Sequence, residues 1–331
     1  MSNTDKMVHA AQNAMVHVMN LTNKDNVLVV TDEQTQRIGN AFYKAARDYG
    51  CHTDVYNLPE ANRPLKEIPA IMVDKLSGKS VVINAFKGLS KETPFRIKWI
   101  KKIAGTKRIR LGHCPGITEE MMTTGPMNVD YKKMLDTAKQ LMKSFDQAKA
   151  VHITAPGGTD VKLNIENRLF STDVQITTEH FGNLPCGEIW CAPVETEGSG
   201  VIVCDGSIGD VGNVSKPLKI ILENGKIANL ESEDKKLVEE IEQLTTVDKE
   251  ASIIGELGIG LNAGAKLTGN LLEDEKANET AHIAFGNNEE MNGGQNHSQT
   301  HRDFLFYRPT FRVTYKDNSN KVLIKDGKFQ F

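Results

Sequence analysis

Residues 26–58 read NVLVVTDEQTQRIGNAFYKAARDYGCHTDVYNL, and this stretch indicates the fold of the first half of the chain. NVLVV has the pattern of a short buried strand, and the segment after it repeats apolar residues every three or four positions, as an amphipathic helix does. Gly50 is placed to end that helix, and a second strand pattern follows it. Strand, helix and strand in this order form a βαβ unit, so we predict a parallel sheet.

Outward from this unit, strand and helix patterns continue to alternate up to residue 148, and we predict an N-terminal α/β domain over residues 1–148. The rest of the chain has many short strand patterns separated by turn signals, among them the hairpin turn Asn224-Gly225. We predict that residues 149–331 form a β-rich C-terminal domain of the α+β class. The predicted strands are 26–30, 51–58, 80–86, 108–111, 150–155, 161–165, 201–205, 218–222, 311–315 and 322–324.

The composition argues against several classes of protein. Of the 331 residues, 39% are hydrophobic and 25% are charged, which is typical of a globular chain and not of a disordered one. The net charge of −3 argues against a nucleic-acid partner, and no apolar run approaches the ~20 residues of a membrane span. The cysteines form no CxxC pair and residues 1–21 lack a signal-peptide core, so we expect a cytoplasmic protein.

The common nucleotide and hydrolase motifs are missing: no GxGxxG follows a strand pattern, and neither GxxxxGK[ST] nor GxSxG occurs. The candidates for chemistry are instead polar residues of the second half. His301 and Asp303 are two positions apart in HRDFLFY, so a strand would place them on one face and Arg302 on the other. Such a pair can begin a divalent-metal site, although a histidine held by a neighbouring aspartate also explains it.

Three further residues of the second half are isolated in the same way. His282 is the one polar group of AHIAFG, Glu256 is the one carboxylate of IIGELGIG, and Glu188 follows a Pro/Gly turn in NLPCGEIW. A core role for His282 and a surface role for Glu188 stay open, whereas a lone carboxylate in an apolar segment needs a cation or a proton. Together with His301 and Asp303, these residues could hold two divalent ions if one carboxylate bridges them.

Four segments of the second half carry a family resemblance: NLPCGEIW, IGELGIGLN, LLEDEKANETAHIAFGNN and HRDF, in that order. In this order they resemble the M29 family of metalloaminopeptidases. The resemblance covers most of residues 150–331 and is weaker before them. It implies an N-terminal α/β domain, a β-rich metal-binding domain, a homodimer, and removal of N-terminal amino acids from small peptides.

The resemblance also implies a metal centre with two divalent ions, zinc or cobalt. Its ligands would be Glu188, Glu256, His282, His301 and Asp303. Two such ions activate a water molecule, and we expect Glu256 to take the proton of that water and Glu188 to bridge the ions.

One departure from the family pattern concerns the oxyanion. In the family a tyrosine closely follows the HIAxG motif, whereas this chain continues with Asn287-Asn288-Glu289-Glu290. Loss of an oxyanion donor can cost ~10²–10³ in rate, so peptidase activity depends on a substitute, for which Asn288 and Arg302 are candidates. His113, His297 and Arg302 are candidate substrate-binding residues, with solvated loop positions as the alternative for the two histidines.

A rival interpretation follows from a second resemblance, to dihydroxypyridine ring-cleaving dioxygenases. These are related to the M29 family, have a similar compact length and use one Fe(II). Two histidines and one carboxylate suit O₂ chemistry at iron, so His282, His301 and Asp303 would hold the iron and the two glutamates would contact the substrate. A catalytically inactive metal-binding homologue is the third hypothesis.

Overall fold

The computed structural model describes residues Met1–Phe331, apart from the side chain of Ser90. The α-helices are α1 (Asn3–Val18), α2 (Gln36–Asp48), α3 (Ala70–Asp74), α4 (Thr93–Ala104), α5 (Glu119–Thr123), α6 (Tyr131–Ser144), α7 (Lys235–Leu244) and α8 (Leu271–Asp274). The strands of the first 200 residues are β1 (Asn26–Thr31), β2 (His52–Asn57), β3 (Val81–Ala85), β4 (Arg110–His113), β5 (Ala148–Thr154), β6 (Asp160–Asn164), β7 (Ser171–Thr172), β8 (Gly182–Asn183), β9 (Glu188–Cys191) and β10 (Gly198–Cys204). The later strands are β11 (Ser207–Ile208), β12 (Gly212–Asn213), β13 (Leu218–Glu223), β14 (Lys226–Glu231), β15 (Ile254–Gly260), β16 (Thr280–Gly286), β17 (His301–Tyr307), β18 (Thr310–Tyr315), β19 (Asn320–Lys325) and β20 (Lys328–Phe329).

The chain forms two compact units. Unit 1 contains residues Met1–Leu135 and Asp173–Cys186, and unit 2 contains residues Asp136–Thr172 and Gly187–Phe331. The chain thus passes from unit 1 to unit 2 within α6, returns to unit 1 for residues 173–186, and then enters unit 2 again. The sequence predicts a single boundary at residue 148, and that division stays a prediction.

Unit 1 is built on a parallel sheet in the order β2-β1-β3-β4-β8. The predicted βαβ unit is therefore confirmed, with α2 as its helix. Strands β1 and β3 are almost entirely buried, as expected for a sheet covered by helices. In α4 the residues Phe95, Trp99 and Ile103 recur every four positions and pack into the core, while its basic residues Lys98, Lys101 and Lys102 remain exposed.

Helix α1 is an element outside the strand and helix patterns predicted above. Ser2 starts it with a capping box, in which the Ser2 hydroxyl accepts a hydrogen bond from the backbone N–H of Asp5 and the Asp5 carboxylate accepts one from the N–H of Ser2. The buried face consists of small and flexible residues, which are Met7, Ala10, Ala11, Ala14, Met15 and Val18. Their spacing is helical, so the signal was present in the sequence.

Unit 2 consists mainly of antiparallel strands. Its described residues form an eight-stranded sheet in the order β14-β13-β10-β6-β5-β18-β19-β20 and a seven-stranded sheet in the order β12-β11-β17-β16-β15-β9-β7. The predicted hairpin at Asn224-Gly225 joins β13 to β14, and Asn224 and Gly225 both have positive φ angles. The mixed α/β architecture, parallel first and antiparallel afterwards, is as predicted. Within the described chain, no helix is both long and apolar enough to cross a bilayer.

Candidate metal centre

The predicted ligands lie on four adjacent strands of the seven-stranded sheet. These strands are β9, β15, β16 and β17. Side chains alternate between the two faces of a strand, so the register between strands decides which side chains meet. The register opposes Glu188 to Gly260, His282 to Gly258, Glu256 and Asp303 to Ala284, and His301 to Gly286.

This register has two consequences for the predicted ligands. Directly opposed residues share a face, and the pairs are linked through neighbouring strands, so the five polar side chains all emerge on one side of the sheet. Each of them also faces a glycine or an alanine on the next strand. The small partners leave space above the sheet, into which the long polar side chains converge.

The first group of converging atoms contains Glu188, Glu256 and His282. His282 Nε2 lies 3.3 Å from Glu256 Oε1 and 3.6 Å from Glu188 Oε2. All three side chains are buried, at 1–8% exposure. Spacings of this size between ligand atoms suit a divalent ion bound at about 2.0–2.2 Å from each of them.

The second group contains Glu256, His301 and Asp303. His301 Nε2 lies 3.0 Å from Glu256 Oε2 and 3.5 Å from Asp303 Oδ1. The two oxygens of Glu256 thus turn to different imidazoles, and Glu256 is the residue that the two groups share. The His301 side chain is 32% exposed, so the centre opens to solvent on the side of this residue.

The two histidines are oriented in different ways. His301 Nδ1 lies 2.7 Å from the carbonyl oxygen of Asn287, and this contact fixes the ring hydrogen on Nδ1 and leaves the lone pair of Nε2 for a metal ion. His282 Nδ1 has no hydrogen-bond partner among the described residues. Its ring is held by packing instead, because it lies directly over Gly258, where any Cβ atom would collide with three of its ring atoms.

The carboxylates make the centre strongly attractive to cations. Burial alone would lower the pKa of His282, but Glu256, Glu188 and Asp303 outweigh it and raise this pKa to about 9. The pKa of His301 is likewise raised well above its usual value, against the effect of burial, by Asp303 and Glu256. Burial would raise the pKa of Glu256, but the two imidazoles hold it below its usual range. Without a metal ion the site therefore favours protonated imidazoles, and a divalent cation can take the place of those charges.

Two functional candidates, Glu275 and Lys276, are not among the residues predicted from the sequence. Lys276 is fully buried, and its ammonium donates a hydrogen bond to Glu188 Oε1 and lies 2.5 Å from Glu275 Oε1. Burial raises the pKa of Glu275, and the neighbouring charges of Lys276, Asp303 and His282 also act on it. Both residues stand in the quoted segment LLEDEKANETAHIAFGNN, but nothing in a charged DEK triplet indicates that its lysine is buried.

His113 lies in unit 1, at the end of β4. Its Nδ1 lies 3.1 Å from the amide nitrogen of Asn84, whose amide oxygen accepts a hydrogen bond from Trp99. Burial, together with the charge of Arg96, lowers the pKa of His113 to about 3, so the ring is neutral. A role in substrate binding stays a prediction for this residue.

The structure does not bring the other predicted substrate contacts, His297 and Arg302, to the five predicted ligands. The His297 side chain is 66% exposed, and its Nδ1 lies 3.7 Å from Glu289 Oε1. Arg302 alternates to the opposite face of β17, where its guanidinium donates a hydrogen bond to the carbonyl of Gly209 and lies 3.4 Å from Asp210 Oδ2. The side chain of Arg302 thus points away from the five predicted ligands, and a contact with the substrate stays a prediction for this residue.

Asn288, the other candidate for the missing tyrosine, is also occupied elsewhere. Its amide nitrogen donates to Glu195 Oε1 and to the carbonyl of Gly255, and its amide oxygen accepts a hydrogen bond from the N–H of Asn296. Each donor and the acceptor of this buried side chain has a partner, so Asn288 fastens the loop between β16 and β17 and has no hydrogen left for an oxyanion.

Comparison with known proteins shows the family to which the chain belongs. The model of the thermophilic metalloprotease (M29) family matches residues 123–329. This span includes all five predicted ligands, and the chain belongs to the M29 family. A search of curated proteins gave no significant match.

Solved structures similar to the chain support the same fold. One is 2,5-dihydroxypyridine dioxygenase from Pseudomonas putida KT2440, with 18% sequence identity and a TM-score of 0.72, covering 100% of this chain and 98% of that one. Another is wild-type AmpT from Thermus thermophilus, with 15% identity and a TM-score of 0.69, covering 100% of both chains. At these identities the likeness concerns the fold alone.

Proposed function

We propose that this protein is a metal-dependent aminopeptidase that removes N-terminal amino acids from small peptides. Membership of the M29 family supports a metal-dependent peptidase. The observation that carries the proposal is the position of Glu256, whose two oxygens lie 3.3 Å from His282 Nε2 and 3.0 Å from His301 Nε2. One carboxylate shared by two groups of ligands suits a pair of divalent ions held close together.

The residues present fit such a pair of ions. Glu188, Glu256 and His282 would hold one ion, and Glu256, His301 and Asp303 the other, with oxygen and imidazole ligands suited to zinc or cobalt. Because both oxygens of Glu256 are engaged, we now assign the bridging position to Glu256 and a terminal position to Glu188. This exchanges the roles expected from the sequence.

Bound divalent ions would lower the pKa of a water molecule and polarise the scissile carbonyl. The chain itself must then accept the proton of that water. Glu256 is poorly placed for this step, since each of its oxygens already faces an imidazole. We assign the step to Glu275, a carboxylate outside both groups, which the Lys276 ammonium links to Glu188.

A second candidate function is supported by the geometry around Asp303. Its Oδ1 lies 3.5 Å from His301 Nε2 and 3.9 Å from His282 Nε2, so two histidines and one carboxylate converge as in the sites of Fe(II) oxygenases. The lack of a free donor on Asn288 also fits a reaction that forms no tetrahedral oxyanion. On this alternative Glu188 and Glu256 would contact an aromatic dihydroxy substrate.

The decisive experiment compares two reactions of the same purified protein. Protein loaded with Zn²⁺ or Co²⁺ is tested for release of an amino acid from dipeptides and aminoacyl anilides. Protein loaded with Fe²⁺ is tested for oxygen uptake with 2,5-dihydroxypyridine. We expect hydrolysis in the first assay, and oxygen uptake without hydrolysis would replace the aminopeptidase by the dioxygenase. Metal binding with neither reaction would identify an inactive metal-binding homologue.

Two variants separate the proposed roles within the site. Glu256→Gln should lower both metal content and hydrolysis, because it removes a shared ligand. Glu275→Gln should keep the metal and lower the rate by about 10²–10⁴, the range of general acid–base catalysis. A Glu275→Gln protein that hydrolyses peptides at the wild-type rate would contradict the assignment of Glu275. We also propose a homodimer, which light scattering of the purified protein tests.

A further inference from the structure

The backbone at Lys276 is held in a fixed position next to the centre. Its N–H donates a hydrogen bond to the carbonyl of Glu273, and its own carbonyl accepts one from Asn262. Strand β15 comes so close to this segment that a Cβ atom on Gly260 would collide with the carbonyl of Ala277. The backbone of Lys276 is therefore held in place by neighbours on both sides, and the ammonium at the end of its buried side chain meets Glu188.

The contacts of this ammonium divide the oxygens of Glu188 between two cations. Oε1 accepts the hydrogen bond from Lys276, and Oε2 is the oxygen that faces His282 at 3.6 Å. Glu188 thus turns only Oε2 toward the first group of ligand atoms, while Oε1 is held by the ammonium. Glu275 completes the arrangement, since its Oε1 lies 2.5 Å from the same ammonium.

The charges around the centre are unequal. Four carboxylates (Glu188, Glu256, Glu275 and Asp303) are at most 13% exposed, and Lys276 adds one positive charge to those of the two protonated histidines beside them. A buried carboxylate that loses its cation is strongly unfavourable. In the metal-free protein the ammonium therefore lowers the mutual repulsion of these groups, and in the metal-bound protein the same charge repels the metal ion that shares Glu188 with it.

We propose that Lys276 is a positioning residue of the centre, whose ammonium stabilises the metal-free fold, restricts Glu188 to one metal-facing oxygen and weakens metal binding. This inference rests on the proposed metal centre. It has a consequence that a lysine kept only for packing would not have. A neutral side chain of the same length should make the protein bind metal more tightly while making the metal-free form less stable.

The experiment compares wild type with Lys276→Met and Lys276→Arg, all prepared free of metal by chelation. Titration calorimetry with Zn²⁺ alone gives the affinity, and thermal unfolding with and without Zn²⁺ gives the stability. We expect at least a tenfold gain in Zn²⁺ affinity for Lys276→Met, because a unit charge and a divalent ion that share a carboxylate repel appreciably even at an effective dielectric constant of about 20. We expect a lower melting temperature for its metal-free form. Lys276→Arg keeps the charge and should stay close to wild type in affinity.

The visible spectrum of the Co²⁺-loaded protein gives a second measurement. When Lys276→Met releases Glu188 Oε1, the carboxylate can bind through both oxygens, and a higher coordination number weakens the Co²⁺ bands. If Lys276→Met does not fold, the double variant Lys276→Met with Glu275→Gln removes one charge of each sign and should fold. Failure of this double variant to fold better than Lys276→Met would count against the electrostatic role.

The outcomes are distinguishable from those of the proposed function. Equal or weaker Zn²⁺ binding by Lys276→Met, beside a wild type that binds Zn²⁺ well, would overturn the role of Lys276 and leave the metal centre intact. A wild type that binds no divalent ion would overturn the centre itself, and the role of Lys276 with it.

Discussion

A single added methyl group at Gly258 should disrupt the centre without altering any ligand. Gly258 lies opposite His282 in the sheet, and a Cβ atom there would be 2.7 Å from His282 Cδ2 and still closer to the other two ring atoms that it meets. An ordinary contact is at least 3.4 Å, so Gly258→Ala must push the ring back by about 0.7 Å at Cδ2 and further at Nε2. Metal–ligand distances tolerate only about 0.2 Å. We therefore expect Zn²⁺ affinity to fall by about 10- to 100-fold, as for other residues that orient ligands.

Calorimetric titration of Gly258→Ala with Zn²⁺ measures this loss, and a double-mutant cycle with His282→Ala supplies the control. Overpacking at Gly258 should cost about 1–3 kcal/mol of folding stability when the ring is present. In the His282→Ala background the ring is gone, so the added methyl group should have little further effect on stability or affinity. Wild-type affinity in Gly258→Ala, or an equal effect in both backgrounds, would refute the idea that Gly258 makes room for the imidazole.

Three further predictions concern other parts of the chain. Arg302→Met should leave the metal content unchanged, as measured by elemental analysis, because Arg302 lies on the opposite face of β17, and a large loss of metal would contradict this placement. The metal-free protein should lose stability as the pH rises from about 6.5 to about 9. The raised pKa of His282 contributes stability that is complete below the pKa of the unfolded state and is lost as the pH passes the pKa of the folded state. A melting temperature that does not change over this pH range would contradict this prediction. In unit 1, Arg63→Met should lower the free energy of unfolding by about 3–5 kcal/mol, because the buried guanidinium pairs with the buried carboxylates of Asp32 and Glu92. Urea titration measures this loss, and a loss below about 1 kcal/mol would show that the two ion pairs are dispensable.

The sequence was most informative where periodicity is strong. The βαβ unit follows from a helix-spaced apolar pattern between two strand patterns. The dipeptide Asn224-Gly225 is a specific signal for a tight hairpin turn. HRDFLFY was expected to be a strand and forms β17 over the same residues. Its period of two then correctly separates His301 and Asp303 from Arg302, since alternation within a strand is a local property.

The arrangement between strands could not be predicted in the same way. Convergence of the five predicted ligands depends on the register of β9, β15, β16 and β17, which is set by long-range pairing that leaves no local mark in the sequence. Only the small residues opposite each ligand, such as Gly258 and Ala284, hint at it. From the resemblance alone Glu188 was expected to bridge the two ions, whereas the register turns both oxygens of Glu256 toward imidazoles.

Residues with an environment that is unusual for their type could not be predicted from the sequence either. Lysine is almost never fully buried, so Lys276 in a charged DEK triplet reads as a solvated residue until the fold is known. Asn288 is close to the position of the tyrosine in the family pattern. Its amide nitrogen, however, donates hydrogen bonds to the backbone of a neighbouring strand and to Glu195. In both cases the hydrogen-bond partners are distant in sequence, and the residue type alone gives no indication of them.

The most direct test of the metal centre is a count of the ions at atomic resolution. Crystals of the protein grown with Zn²⁺ and measured on both sides of the zinc absorption edge would give anomalous peaks at the positions of bound ions. We predict two peaks per chain, one between Glu188, Glu256 and His282 and one between Glu256, His301 and Asp303. A single peak between the two histidines and Asp303 would contradict the two-ion centre, and no peak at these five side chains would contradict a metal site altogether.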